Sequence, residues 1–208
     1  MRPVHFVLAL EVLMATSAAR GAEPTCDHLQ VALAAGLTPE IVARDWASGD
    51  PHTEPNAVLE LRGCAGELLD RLELAAPLAK LDPVPLHGVS VPTWLVSADL
   101  TAPAGTTSGP LTLPVEVVEH HLRPARTHDA RGDEQPIQLA ATGKAAWKRL
   151  RTKRGDELLA VSCAPANGGF VTTYRHYRPG PRGWTLRTRL KSGLWESDAD
   201  FPAVAAFP

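Results

Sequence analysis

The chain is poor in aromatic residues and cysteines, and it has no long uninterrupted apolar segment. Aromatic residues make up 5% of its 208 residues, and it contains three cysteines. So few aromatics leave little material for base stacking, and we expect no nucleic acid partner. No segment approaches the roughly 20 apolar residues that a membrane-spanning helix needs, so we expect no transmembrane segment either.

The common local signatures of cofactor, metal and nucleophile sites are also missing. The sequence has no glycine-rich phosphate loop, His-Glu-x-x-His, paired Cys-x-x-Cys or Gly-x-Ser-x-Gly. His120, His121 and His128 with Asp129 come nearest to a metal set, but adjacent residues on a strand point to opposite faces. We therefore predict no metal, no cofactor and no catalytic residue from local sequence.

The N-terminal segment has the pattern of a secretory signal peptide. A short apolar core follows Arg2, and a run of small residues follows that core. Residues 1–22 are therefore predicted to be a signal peptide that is cleaved between Ala19 and Ala22, which implies a secreted or periplasmic, soluble protein. The alternative is a buried N-terminal helix, because Glu11 interrupts the apolar core.

Export would place the three cysteines in an oxidising compartment, where two of them are expected to pair. Cys26 and Cys64 both lie in the part of the chain that we predict to be helical, so we predict a disulfide between them. Cys163 ends an apolar run and is predicted to be a buried free thiol. The other two pairings stay open.

Residues 23–208 are predicted to form one α+β domain. Helical spacing of apolar residues, a helix start at Thr38 and the leucine-rich segment 66–76 predict two or three helices within about residues 26–81. Alternating patterns predict a β-rich part over about residues 86–196. We therefore predict N-terminal helices packed on an antiparallel sheet of five to seven strands, with a C-terminal meander.

Seven segments have patterns typical of strands. One contains Pro114, which has no backbone N–H, so we predict that this strand lies at a sheet edge. A strand is favoured over a helix for 144–152. In the last strand Trp184, Leu186 and Leu190 are predicted to face the core. The predicted strands are 58–62, 89–100, 111–117, 144–152, 158–163, 170–177 and 184–191.

Charge is distributed unevenly along the chain. Residues 23–120 hold 14 acidic and 4 basic residues, whereas residues 121–208 hold 8 acidic and 15 basic ones. Arg187, Arg189 and Lys191 alternate with the apolar residues of the last strand, which predicts a possible anion-binding face on the outer side of the sheet. If acidic residues of the first half lie beside this face, they compensate its positive charge. If they do not, we expect weak, non-specific polyanion binding. We favour partial compensation of the charge.

The sequence Arg-Gly-Asp-Glu occurs twice, at 131–134 and 154–157. Gly-Asp is a common turn dipeptide, so we interpret both copies as turns between strands. The alternative is an exposed loop that binds an adhesion receptor through its arginine and aspartate.

These observations leave the specific function open. We interpret the chain as a non-catalytic binding or accessory protein of the cell envelope or extracellular space, with an unknown partner. The alternative is a small secreted hydrolase with a dispersed active site. A cleft that unites His120 or His176 with Asp or Cys side chains would favour the hydrolase.

Overall fold

The computed structural model describes residues 30–34, 56–76, 78–99, 109–129, 131–196 and 201. Among these residues every regular element is a strand, so the α+β prediction is wrong and the described part is all-β. Nor do these residues form any helix able to cross a membrane. The strands are β1 (Gln30–Ala34), β2 (Val58–Arg62), β3 (Leu68–Glu73), β4 (Ala79–Leu81), β5 (Thr93–Asp99), β6 (Pro110–Val118), β7 (His121–Pro124), β8 (Arg126–His128), β9 (Glu134–Pro136), β10 (Leu139–Ala140), β11 (Ala145–Thr152), β12 (Gly155–Ala166), β13 (Gly169–Gly180) and β14 (Gly183–Ser192).

The described strands form three sheets. The first has the order β1-β2-β3, and the second has the order β10-β6-β5-β4 with β7 also paired to β6. The third has six strands in the order β11-β12-β13-β14-β8-β9. All of its pairs are antiparallel except β14 with β8, which is parallel. The predicted antiparallel arrangement of the C-terminal strands is therefore confirmed.

The predicted N-terminal helices do not occur among the described residues. The segment 66–76, read as a helix, contains β3, which pairs with β2 across a tight turn at Gly66 (φ +81°). Leu69 and Leu72 pack against the first apolar core, whereas Leu68 is exposed. A short leucine-rich segment is compatible with both the helical spacing and the strand spacing of apolar residues. Here it forms a strand because it pairs with β2. Val31, Ala32 and Leu33 lie in β1, and the predicted helix start at Thr38 lies outside the described residues.

Pro114 is not in an edge strand, so this prediction is also wrong. β6 pairs with β5 on one side and with both β10 and β7 on the other. The Pro114 carbonyl accepts a hydrogen bond from the N–H of Ala125 (2.8 Å). In an antiparallel strand the N–H and C=O of one residue point to the same side. The missing N–H therefore faces the interval between β10 and β7, where the ladder is already interrupted.

Three apolar clusters lie in the described part of the chain, and two of them join neighbouring sheets. The first lies between the first two sheets and includes Leu59, Leu61 and Val115. The second lies between the second and third sheets and includes Leu95 and Leu158. The third lies on the outer face of the third sheet, where Trp195 and Phe201 pack against Leu159, Val161 and Tyr174. The outer face is thus apolar over part of its area only.

Candidate functional site

The site is positioned by the hairpin that joins β12 and β13. Asn167 and Gly168 both have positive φ (44° and 81°), as a two-residue hairpin turn requires. This turn fixes the register of β12 and β13, so Leu159 lies opposite His176. On the other side of β13, Arg187 of β14 also lies opposite His176. Because side chains alternate along a strand, Glu157 and Arg178 lie on the same outer face as His176.

Glu157 and His176 form a buried pair on this face. His176 Nε2 lies 2.6 Å from Glu157 Oε2, and the two side chains are 3% and 9% exposed, respectively. The other oxygen, Oε1, lies 3.4 Å from Nε of Arg178. Both carboxylate oxygens therefore have polar partners, as a buried carboxylate requires.

A cavity of about 390 Å³ opens over this pair. Its charged lining consists of four basic side chains and one carboxylate, which already contacts His176 and Arg178. Thr152 completes the lining, but its hydroxyl donates a hydrogen bond to the carbonyl oxygen of Gly155 (2.9 Å). The cavity therefore carries a net positive charge. The lining residues are Thr152, Lys153, Arg154, Glu157, His176, Arg178 and Arg187.

A second cavity, of about 510 Å³, lies beside the turn between β13 and β14. His128 and Arg182 are its titratable residues, and the turn backbone, Trp184 and Leu186 form most of the remaining lining. It lacks the convergent polar groups that fix a small ligand in a specific orientation. The cavity over Glu157 and His176 is thus the better candidate site.

The possible anion-binding face predicted from sequence is only partly included in this site. Arg187, Arg189 and Lys191 are exposed and share one side of β14, and of these Arg187 lines the cavity. On the other side of β14, Trp184 is buried and Leu186 packs against the second cluster. Leu190 was predicted to face the core as well, but it is 66% exposed, so that prediction is wrong. The strand extends beyond the second core before Leu190 is reached.

The histidines singled out by sequence do not meet in space. His120 lies in the turn between β6 and β7, and His128 lies on β8; both are exposed. His121 Nδ1 lies 3.5 Å from Asp70 Oδ2. Within the described part of the chain, no three His, Cys, Asp or Glu residues form a group that could hold a metal ion.

The two cysteines in the described part of the chain, Cys64 and Cys163, do not line the cavity. Cys64 is disulfide-bonded, whereas Cys163 is a free cysteine. Cys26 lies outside the described residues, so its pairing with Cys64 stays a prediction. Cys163 is partly buried and six residues beyond Glu157 on β12, which is about 20 Å along the strand. His176 lies opposite Leu159, four residues from Cys163, so about 13 Å along the strand separates it from the thiol.

Sequence reasoning missed Glu157, Arg154 and Arg178 as a group. The signal was available in the sequence Asn167-Gly168, which favours a two-residue hairpin turn, because such a turn fixes the register of both strands. Counting outward from that turn places Glu157 beside Arg178. No local motif marks the pair, since its members come from two strands.

Comparison with known proteins adds nothing to this geometry: no family model, curated protein or solved structure matches the chain.

Proposed function

We propose that this protein is exported and acts as a binding protein, and that the cavity over Glu157 and His176 takes a small ligand with an anionic group. The observation that carries the proposal is the excess of basic side chains around a carboxylate that already has its own partners. Arginine side chains recognise carboxylate and phosphate groups through paired N–H donors. The cavity volume of about 390 Å³ falls in the range of small-molecule sites.

Calorimetric titration with inorganic phosphate and with citrate tests this proposal. We expect saturable binding of at least one of them, and a loss of about tenfold in affinity in Arg154→Ala, because a charge-assisted hydrogen bond is lost. Arg154 is exposed, so its replacement leaves the fold unchanged. Arg182→Ala is the matched control, since Arg182 is also an exposed turn arginine but does not line this cavity. Equal affinities in the two variants would contradict the proposal.

One observation supports the second candidate function, a small secreted hydrolase. A buried histidine bonded to a carboxylate at the floor of a cavity is an arrangement that can move protons. The Thr152 hydroxyl donates to Gly155 rather than to His176, so the nucleophile would have to be water. Hydrolysis of p-nitrophenyl phosphate that is lost in Glu157→Gln, with phosphate binding retained, would favour this function.

A further inference from the structure

The two Arg-Gly-Asp triplets lie in different environments. In the triplet at 154–156, the Asp156 side chain is 1% exposed and forms an ion pair with Arg149. Its carboxylate is therefore inaccessible to a partner molecule. In the triplet at 131–133, all three residues are exposed in the turn between β8 and β9.

The 131–133 turn is held by Asp129 and not by its own charged side chains. Asp129 Oδ1 accepts hydrogen bonds from the N–H groups of Arg131 (2.8 Å) and Asp133 (3.0 Å). The backbone also closes on itself, because the N–H of Gly132 donates to the Asp129 carbonyl and the N–H of Asp129 donates to the Asp133 carbonyl, each at 3.0 Å. Gly132 has φ +88°, a conformation that favours glycine.

This arrangement leaves the two charged side chains of the turn available. Within the described part of the chain, neither Arg131 nor Asp133 has a side-chain hydrogen bond or ion pair. A guanidinium and a carboxylate are thus presented on either side of Gly132, and the N–H groups of all three residues of the triplet are hydrogen-bonded to Asp129. A preordered turn loses less conformational entropy on binding than a flexible peptide does.

We propose that the 131–133 turn is a docking surface for an adhesion receptor that recognises both charges. Such a receptor would coordinate the Asp133 carboxylate with a bound divalent cation, for which carboxylate oxygen is a suitable ligand. Its own carboxylates would pair with the Arg131 guanidinium. The proposal does not depend on the anion-binding cavity, which is built from β11 to β14 and shares no residue with this turn.

The test measures binding of the purified full chain to an immobilised Arg-Gly-Asp-binding integrin ectodomain in the presence of Mg²⁺. We expect saturable binding that EDTA and a soluble Arg-Gly-Asp peptide both abolish. Asp133→Glu should weaken binding at least about tenfold, because the longer side chain displaces the carboxylate by one methylene from the position that matches the cation. Arg131→Lys should weaken it as well, because a forked donor is replaced by a point charge.

Arg182→Lys is the matched control, because Arg182-Gly183 lies in another exposed hairpin turn but no aspartate follows it. It should bind like the unmodified chain. The proposal would be overturned if the Asp133→Glu variant still binds the receptor, or if the unmodified chain binds the receptor no more strongly than this variant does. Arg154→Ala separates the two proposals, since it should weaken phosphate binding and leave receptor binding unchanged.

Discussion

Gly155 and Gly88 pack backbone against backbone where the loop before β5 meets the turn between β11 and β12. A Cβ atom on Gly155 would lie 2.8 Å from the Gly88 Cα and 2.6 Å from the His87 carbonyl oxygen. The N–H of Asp156 donates to that same carbonyl (2.7 Å), and the N–H of His87 donates to Asp156 Oδ2 (2.6 Å). The glycine of the second Arg-Gly-Asp triplet is therefore required by packing.

Gly155→Ala should destabilise the fold by about 2 kcal/mol or more, because Gly155 has φ +129° and its new methyl group would meet backbone atoms. Gly66→Ala is the control, since Gly66 has φ +81° but no atom within 4 Å of the added Cβ. It should cost only the backbone penalty of about 1 kcal/mol. Urea unfolding of both variants measures the difference, and equal losses would show that contact with His87 and Gly88 has no effect.

Asp156 should make stability depend on pH. Burial raises the pKa of this carboxyl, but the hydrogen bonds from Arg149 and from the His87 N–H outweigh it, and the pKa lies below its ordinary value. Because its folded-state pKa is lowered, ionised Asp156 stabilises the fold, and this contribution is complete at pH values above the ordinary aspartate pKa of about 3.9. This contribution is lost as pH falls below that value, through the folded-state pKa.

Asp156→Asn should therefore cost about 3 kcal/mol near neutral pH, because it leaves Arg149 without its buried partner. The difference from the unmodified chain should shrink as pH falls below about 4. Asp133→Asn, in the exposed triplet, should leave the pH dependence of unfolding unchanged. A constant difference between Asp156→Asn and the unmodified chain from pH 7 to pH 2 would rule out this role.

The strands of the third sheet could be predicted because their signals are local. Trp184 and Leu186 alternate with polar residues, and Asn167-Gly168 is a turn that few other residues can form. The strand predicted at 144–152 is confirmed as β11. The segment at 66–76 could not be assigned in this way, because Leu68, Leu69 and Leu72 satisfy helical spacing while the pairing that makes them a strand comes from β2.

The candidate site was harder to predict than the sheet that carries it. Glu157 and His176 are 19 positions apart, and their contact depends on the register of two strands. The two Arg-Gly-Asp triplets are identical in sequence, yet one carboxylate is buried against Arg149 and the other is exposed. Burial of Asp156 follows from the loop at His87, 69 positions away, which no local pattern could indicate.

The disulfide between Cys26 and Cys64 is a prediction that peptide mapping can check. Under non-reducing conditions a peptide that links these two residues should appear, and Cys163 should react with a thiol reagent after unfolding. On the chain-entropy model the bridge would stabilise the protein by about 4 kcal/mol. A linkage that involves Cys163 would refute the pairing.

Export predicts a defined N-terminus. The mature protein should begin after a cleavage between Ala19 and Ala22, because small residues follow the apolar core there. N-terminal sequencing of protein recovered outside the cytoplasm checks this. Recovery of that protein with Met1 intact would contradict it.

The basic side of β14 should bind polyanions only weakly. Arg187, Arg189 and Lys191 are exposed on one side of the strand, and their combined field attracts anionic polymers. We expect partial compensation by acidic groups, so a heparin column should release the protein below about 0.15 M salt, where the screening length is about 8 Å. Retention well above that salt concentration would instead show an uncompensated binding face, because each contact with an anionic group steepens the dependence of binding on salt. In that case the double variant Arg187→Ala/Arg189→Ala should lose the retention, whereas the control variant Arg126→Ala/Arg182→Ala should keep it.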